Sequence, residues 1–481
     1  MGIIQGRFQK INLNTRSRNS QKDIYMKNYD AIIIGSGQAG TPLAFKYASQ
    51  KMNVAFIEKE HFGGTCLNVG CTPTKAYVAS ARRMFDAQNG EVLGIQIPEG
   101  ATANLKKIRQ RKDALIKKSV DGLSYALGKN KYIDIYKGEA SFKGRKTVIV
   151  NEKEITADKI FINVGARARV PEGFENVNFM TNKEILQLDE IPEHLVIVGG
   201  SYIGLEFGQI FRRFGSEVTI IEKGDRLIGR EDPEVSFAIQ QILEKEGINF
   251  RLNARCLSGT QHSPGNITVR VDCSEGDKEI SGTHLLLAVG RVPNTDTLKS
   301  EAAGINLNDR GYVVVNDCLE TNVQGIYALG DCNGRGAFTH TSYNDYEIVA
   351  ENLFEGKDRK VTDRIMTYAL FIDPPLGRAG MTLEQARESG RNIKTGYRKM
   401  EDVARAREKG ETDGFMQVVI DGDTERILGA AVLGVGGDEI ISGILNVMYA
   451  DMPYTVIRDS VQIHPTVSEL IPTMLESLQA K

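Results

Sequence analysis

Cysteine is scarce in this chain: six in 481 residues, at positions 66, 71, 256, 273, 318 and 332. So thin a distribution excludes the disulfide framework of a small secreted protein and points to a reducing, cytoplasmic setting. Histidine is equally scarce, and its six copies are scattered singly, so a close cysteine pair lacks the two further ligands that a structural zinc would want. No metal site is expected. No apolar run reaches the roughly 18 residues of a membrane span. Net charge is nearly absent as well. With 60 basic and 62 acidic residues the balance is -2, and no strong overall field argues for nucleic acid or an anionic membrane as a partner. Between Met1 and Lys27 nothing is apolar enough to form the core of a secretory signal, and Met26 offers an alternative initiator. Residues 1–28 are therefore expected to be a disordered or mis-assigned extension outside the fold.

Glycine, by contrast, is plentiful at 49 residues, which anticipates tight turns and close approaches of backbone to ligand. In "YDAIIIGSGQAGTPLAFKYASQKMNVAFIEK", Ala31 to Ile34 reads as a buried strand and Gly35, Gly37 and Gly40 form GxGxxG. Thr41 to Lys51 has helical character, and Val54 to Ile57 is a second strand closed by Glu58. In such a βαβ unit Gly35 makes the turn and Gly37 lets backbone amides approach a pyrophosphate at the positive helix end. Gly40 packs helix on sheet, and Glu58 accepts hydrogen bonds from a ribose.

The pattern recurs in "HLVIVGGSYIGLEFGQIFRRFGSEVTIIEK". Leu195 to Val198 is the strand, Gly199, Gly200 and Gly204 the turn, and a helix runs to Arg213. A second strand, Val218 to Ile221, ends in Glu222. Two dinucleotide sites follow. Ser201 occupies the second glycine position, where a small side chain with a hydroxyl is tolerated. A carboxylate at Glu222 favours a free ribose 2'-hydroxyl, and hence NADH over NADPH, although Lys223 and Arg226 lie close by.

Between the two units, Ala103 to Asn130 is helical. Leu105, Ile108, Leu115, Val120 and Leu123 share a face, while Lys106, Lys107, Arg109, Arg111, Lys112, Lys117 and Lys118 cover the rest; without interleaved aromatics this is a solvated face. Later, Leu285 to Asp296 and Gly325 to Gly334 each run from a strand into a glycine turn, the second presenting Asp331. From about Val361 the pattern changes to alternating strands, Gly414 to Ile420 and Ile427 to Val435, which places a domain boundary near Thr362.

"GGTCLNVGCTPTK" sets Cys66 and Cys71 five positions apart. In a reducing compartment such a pair is either half of a metal site or a working redox pair. Pro73 suits the first turn of a helix, so Cys71 would lie at its positive end, where a thiolate is stabilised.

From Tyr29 onward the chain resembles the FAD-dependent pyridine nucleotide-disulfide oxidoreductases of class I, the family of dihydrolipoamide dehydrogenase, glutathione reductase and mercuric reductase. The motifs that carry the resemblance stand in one order: GSGQAG with Glu58, GGTCLNVGC, GGSYIGLE, GRVPN, ALGD and HPTVSE. It implies an α/β fold with two Rossmann-like dinucleotide-binding domains, for FAD and for NAD(P), and a C-terminal α+β dimerisation domain. The implied division is 29–170 for the first part of the FAD domain, 171–290 for the NAD(P) domain, 291–361 for the second part of the FAD domain, and 362–481 for the interface domain. FAD would be held by Gly35, Gly37, Gly40, Glu58, Gly64, Thr65, Lys75, Gly165 and Asp331, the last on the ribityl chain. NADH or NADPH would be held by Gly199, Ser201, Gly204, Glu222 and Gly290.

The resemblance further implies that Cys66 and Cys71 form a redox-active disulfide, Cys71 nearer the flavin and Cys66 facing substrate. Lys75 would pair with Glu206 beside the flavin. His464, oriented by Glu469, would reach across a homodimer to serve the opposite subunit's Cys66. The chain is thus expected to be an enzyme passing electrons from NAD(P)H through FAD and the cysteine pair to a small-molecule acceptor. "TPTK" and "DPPLGRAGMT" look closest to the mercuric-reductase-like branch that includes the bacterial reactive-chlorine-resistance flavoprotein, so a soft metal ion or small oxidant is the expected acceptor. The absence of cysteine before Cys66 or after Cys332 departs from the well-known mercuric reductases. A dihydrolipoyl dehydrogenase is the alternative, and a low-turnover redox sensor or scaffold is a reading of another class.

Overall fold

The computed structural model describes residues 27–96, 100–273 and 276–480. The first strand, β1 (Lys27–Ile34), leads through the glycine turn into α1 (Gly40–Ser49) and β2 (Val54–Glu58). Ala31, Ile32 and Ile33 have no exposed surface, because a parallel strand covered on both faces needs an unbroken apolar run. β1 begins inside the segment expected to lie outside the fold: Lys27 pairs with Asp134, and Asn28 lies opposite Thr156. The expectation for residues 1–26 falls outside the described residues.

Two helices then follow with a single glycine between them, α2 (Gly64–Val69) and α3 (Cys71–Asn89). After α4 (Leu105–Gly128) come β3 (Ile133–Lys137), β4 (Ala140–Gly144), β5 (Thr147–Val150) and β6 (Lys153–Ile162). The sheet order is β3-β2-β1-β6-β5-β4, parallel from β3 to β6 and antiparallel beyond. α4 packs on α3 and also meets the turn Ile185–Gln187, so its buried surface is not the single stripe read from periodicity. Lys112, expected among the solvated cations, is buried; its ammonium donates to the Leu186 carbonyl at 2.9 Å and pairs with Asp113 at 2.6 Å. Leu115, expected on the apolar face, is exposed.

After the short β7 (Ala166–Ala168), a second sheet assembles from β8 (Phe179–Met180), β9 (His194–Val198), β10 (Glu217–Ile221), β11 (Ile248–Arg251) and a later strand, His284–Leu287. It is parallel throughout, and it carries α5 (Tyr202–Phe214) and α6 (Pro233–Lys245). A small antiparallel sheet spans Arg255–Ser263, Asn266–Asp272 and Glu279–Gly282. The chain then returns: Arg291–Pro293 pairs with β7, and Ile326–Ala328 joins the first sheet beside β6. The long helix Thr339–Glu355 follows.

The C-terminal region folds around an antiparallel sheet in which Phe415–Asp421 and Ile427–Leu433 are buried at every position. Both faces are covered, hence two runs without alternation that are apolar but for Gln417 and Asp421. Arg82 on α3, Arg213 on α5 and Asp373 of this region meet in one ion network: the Asp373 carboxylate accepts from Arg82 at 2.8 Å and from Arg213 at 2.6 Å. The helix that begins with Cys71 is thereby fixed against both other regions.

Candidate active site

The two glycine turns are built alike. At the first, the Gly35 amide donates to the Ile57 carbonyl and the Ser36 amide to Glu58 Oε2 at 3.0 Å. At the second, Gly199 donates to Ile221 and Gly200 to Glu222 Oε2 at 2.7 Å. Space permits only glycine at the crossing points. A Cβ on Gly40 would lie 2.2 Å from the Gly35 carbonyl oxygen, and one on Gly204 would lie 1.9 Å from that of Gly199. Neither helix is capped by the side chain of its own N-cap residue, Ala39 or Ser201, so the positive helix ends stay open to an anion, apart from the Gly40 amide that Asn163 takes. These features fit the pyrophosphates of two dinucleotides. Ser201 takes an extended conformation, with φ of -118°, so a side chain fits there without strain.

Around the first turn, the Gly63 amide donates to Ser36 Oγ at 3.1 Å, and Gly64, with φ of +60°, passes close to Gly37. The α2 turn carrying Thr65 and Cys66 is thus stitched to the cradle. Asn163 is a participant that motif reading missed. Its side-chain carbonyl accepts the Gly40 amide at 2.9 Å, and its amide donates to the Leu329 carbonyl at 2.8 Å, bridging α1 to the strand end before Asp331. A signal existed: "NVG" ending at Gly165 repeats "AVG" ending at Gly290, and the Asn163 and Ala288 carbonyls press on Gly35 and Gly199 alike. Gly165 and Gly290 both have positive φ, +67° and +106°. Asp331 is mostly buried and ion-paired with Arg291 of the GRVPN motif, which therefore belongs to the same neighbourhood.

Cys66 and Cys71 are brought together as two free thiols, Cys66 half-buried and Cys71 the more exposed. They titrate apart. Hydrogen bonding to Cys71, reinforced by burial, pushes the Cys66 thiol far up. Hydrogen bonding from Cys66, with further help from Thr339 and Lys75, brings Cys71 down to about 6 against the opposing effects of burial and Glu206. The proton therefore rests on Cys66 and the negative charge on Cys71, at the start of α3. One turn on, Lys75 donates to Glu206 Oε2 at 2.6 Å and lies 4.5 Å from the centre of the Phe371 ring. Glu206 is buried, and its other oxygen accepts the Phe371 amide at 3.1 Å. Thr339, also missed by motif reading, sets its hydroxyl 3.2 Å from Cys71 Sγ.

His464 and Glu469 form a pair of their own. His464 Nδ1 lies 2.8 Å from Glu469 Oε2; the imidazole is 78% exposed and the carboxylate 12%. A largely buried carboxylate and an exposed ring make an oriented dyad in which Nδ1 is engaged by Glu469.

Comparison with known proteins matches this geometry to one family. Residues 29–345 match the pyridine nucleotide-disulphide oxidoreductase family, and residues 366–475 match its dimerisation domain. The chain belongs to the pyridine nucleotide-disulphide oxidoreductases. It is 36% identical to the probable pyridine nucleotide-disulfide oxidoreductase RclA of Escherichia coli over 92% of this chain and 98% of that protein. It is 33% identical to a mercuric reductase of Staphylococcus aureus, covering 88% of this chain and 77% of the relative. With a dihydrolipoyl dehydrogenase of Thermus scotoductus it shares 32% over 94% and 98%. Among solved structures, the Cu(II) complex of the HOCl-induced flavoprotein disulfide reductase RclA from Escherichia coli aligns with a TM-score of 0.85 at 36% identity, over 94% of this chain and 99% of that one. The protein is therefore an oxidoreductase of the two-dinucleotide α/β type, with FAD and NAD(P)H as the family's cofactors. No helix among the described residues is long and apolar enough to cross a membrane.

Proposed function

We propose that this chain is an NADH-preferring flavoenzyme that delivers electrons through Cys66 and Cys71 to a soft metal ion or small oxidant. The observation that carries the reading is the meeting of Cys66 and Cys71, with Thr339 at 3.2 Å from Cys71 Sγ and the Lys75–Glu206 pair one turn on at 2.6 Å. FAD, when bound, supplies two-electron transfer between nicotinamide and thiols. The first glycine turn with Glu58, Gly64, Thr65, Lys75, Gly165 and Asp331 would hold it; the second, with Ser201, Glu222 and Gly290, would hold the nicotinamide dinucleotide. The division at 29–170, 171–290, 291–361 and 362–481 follows the same reading.

The roles of the thiols follow from their protonation. Cys71 is ready as an anion, whereas Cys66 keeps its proton and needs a base before it can attack an acceptor. His464, aligned by Glu469, is the base on offer, and it stands on the dimerisation domain. Val461 and Ile463 beside it are 99% and 79% exposed, an apolar flank suited to burial against a second copy. The working unit is then a homodimer in which each His464 serves the other chain.

A metal-ion acceptor is favoured by the likeness to a mercuric reductase and to a Cu(II) complex of RclA. Reversible lipoamide oxidation is the second reading, favoured by the dihydrolipoyl dehydrogenase likeness. The test is NADH consumption with Cu(II), Hg(II), glutathione disulfide and lipoamide side by side. Fastest turnover with a metal ion supports the proposal; turnover confined to lipoamide replaces it with the second reading.

A further inference from the structure

Thr339 touches the reactive sulfur from the distal half of the chain: Oγ1 lies 3.2 Å from Cys71 Sγ across 268 positions of sequence. It is also held from both sides. Phe338 stacks against His340 at 5.4 Å and against Tyr368 at 5.6 Å, and its amide donates to the Thr341 hydroxyl at 3.2 Å. On the other side, His340 Nε2 meets the Thr367 carbonyl oxygen at 2.8 Å. A hydroxyl fixed between two anchored neighbours is a preorganised donor, with little freedom left to lose when it binds an anion.

We propose that the Thr339 hydroxyl donates its hydrogen bond to the Cys71 thiolate and is the positioning residue that holds this sulfur ionised for electron transfer. The groups that act on Cys71 from the packed elements are Cys66 of α2, Lys75 of its own helix and Glu206 of α5. Glu206 opposes the anion, and Lys75 is already committed to Glu206 at 2.6 Å. Cys66 is the first donor to this sulfur, and Thr339 is a second neutral donor, supplied by a distant segment and engaged by no carboxylate. Thr339 is among the groups that lower both thiols, and its direct contact is with Cys71. The proposal rests on reading Cys66 and Cys71 as the redox pair, and it adds a distant residue that helps hold one of them ionised.

The test follows the rate of Cys71 alkylation by iodoacetamide against pH in the reduced holoenzyme, read by mass of the Cys71 peptide. Wild type and Thr339→Ser should titrate alike, with an inflection near the value of about 6 expected for Cys71. Thr339→Val, which keeps the shape without the donor, and Thr339→Ala should move the inflection up by about 1 to 2 pH units, the scale of one hydrogen bond to a charged group. Two variants of different size guard against a misfit of either one, with FAD content as the check on folding. Valine and alanine variants that titrate with wild type would overturn the proposal, as would a serine variant displaced as far as alanine. Either result would leave the redox role of the pair standing, because that role is read separately from thiol formation on reduction.

Discussion

The ammonium of Lys75 and the carboxylate of Glu206 meet at 2.6 Å although 131 positions separate them. One opens the helix that starts with Cys71, the other lies on the helix that follows the second glycine turn. Lys75→Met would leave Glu206 buried with only the Phe371 amide as donor, and should destabilise the protein by about 1–3 kcal/mol, the cost of an unsatisfied buried acceptor. Glu206→Gln, which still accepts from Lys75, should cost less. Urea unfolding of the two variants checks the order.

The ionisation of Cys71 gives a pH signature. Its titration is depressed to about 6, so the thiolate persists above that pH and is lost as pH falls through it. In the reduced enzyme a long-wavelength band from thiolate beside flavin should fade on acidification with that midpoint, and Cys71→Ser should abolish it while retaining FAD. Anaerobic spectra across pH 4 to 8 measure both.

Nicotinamide choice should follow Glu222. Its carboxylate is held by the Gly200 and Gly224 amides at 2.7 and 2.8 Å, at the strand end where a carboxylate favours a free ribose 2'-hydroxyl over a 2'-phosphate. NADH should give the higher kcat/KM, and Glu222→Ala should narrow the difference. A wild-type enzyme that strongly prefers NADPH would show that Lys223 and Arg226 govern the pocket.

The βαβ units were legible because their chemistry is local: Gly35 to Glu58 and Gly199 to Glu222 each lie within one short stretch whose strands and turn explain one another. The cysteine pair was legible for the same reason. What stayed hidden depends on distant segments. Thr339 acts through a contact across 268 positions and changes no local pattern, and Asn163 acts across 123, its NVG–AVG signal showing only when two distant stretches are compared. Lys112 looked like a surface cation because the Leu186 carbonyl that receives it lies 74 positions away. The Arg82–Asp373–Arg213 network, which fixes α3 against the other regions, gave no periodic sign at all.

Sharing of His464 between subunits predicts a complementation pattern. His464→Ala should slow reoxidation of the reduced enzyme by at least about a hundredfold, the scale of losing a positioned base, and leave reduction by NADH nearly unchanged. Mixed dimers of His464→Ala and Cys66→Ser chains keep one site with intact cysteines and an intact histidine opposite. They should recover activity; a verified but inactive mixed dimer would mean that His464 acts within its own chain or only holds the interface.

The central claim, that electrons from NADH pass through Cys66 and Cys71, is tested most directly by counting thiols. The oxidised, FAD-loaded protein is treated with one equivalent of NADH without oxygen, then alkylated and mapped by mass. Cys66 and Cys71 should be unreactive before NADH and both modified after it, with Cys256, Cys273, Cys318 and Cys332 unchanged between the two samples. Thiols at Cys66 and Cys71 that are equally free before and after, while the flavin bleaches, would contradict the account.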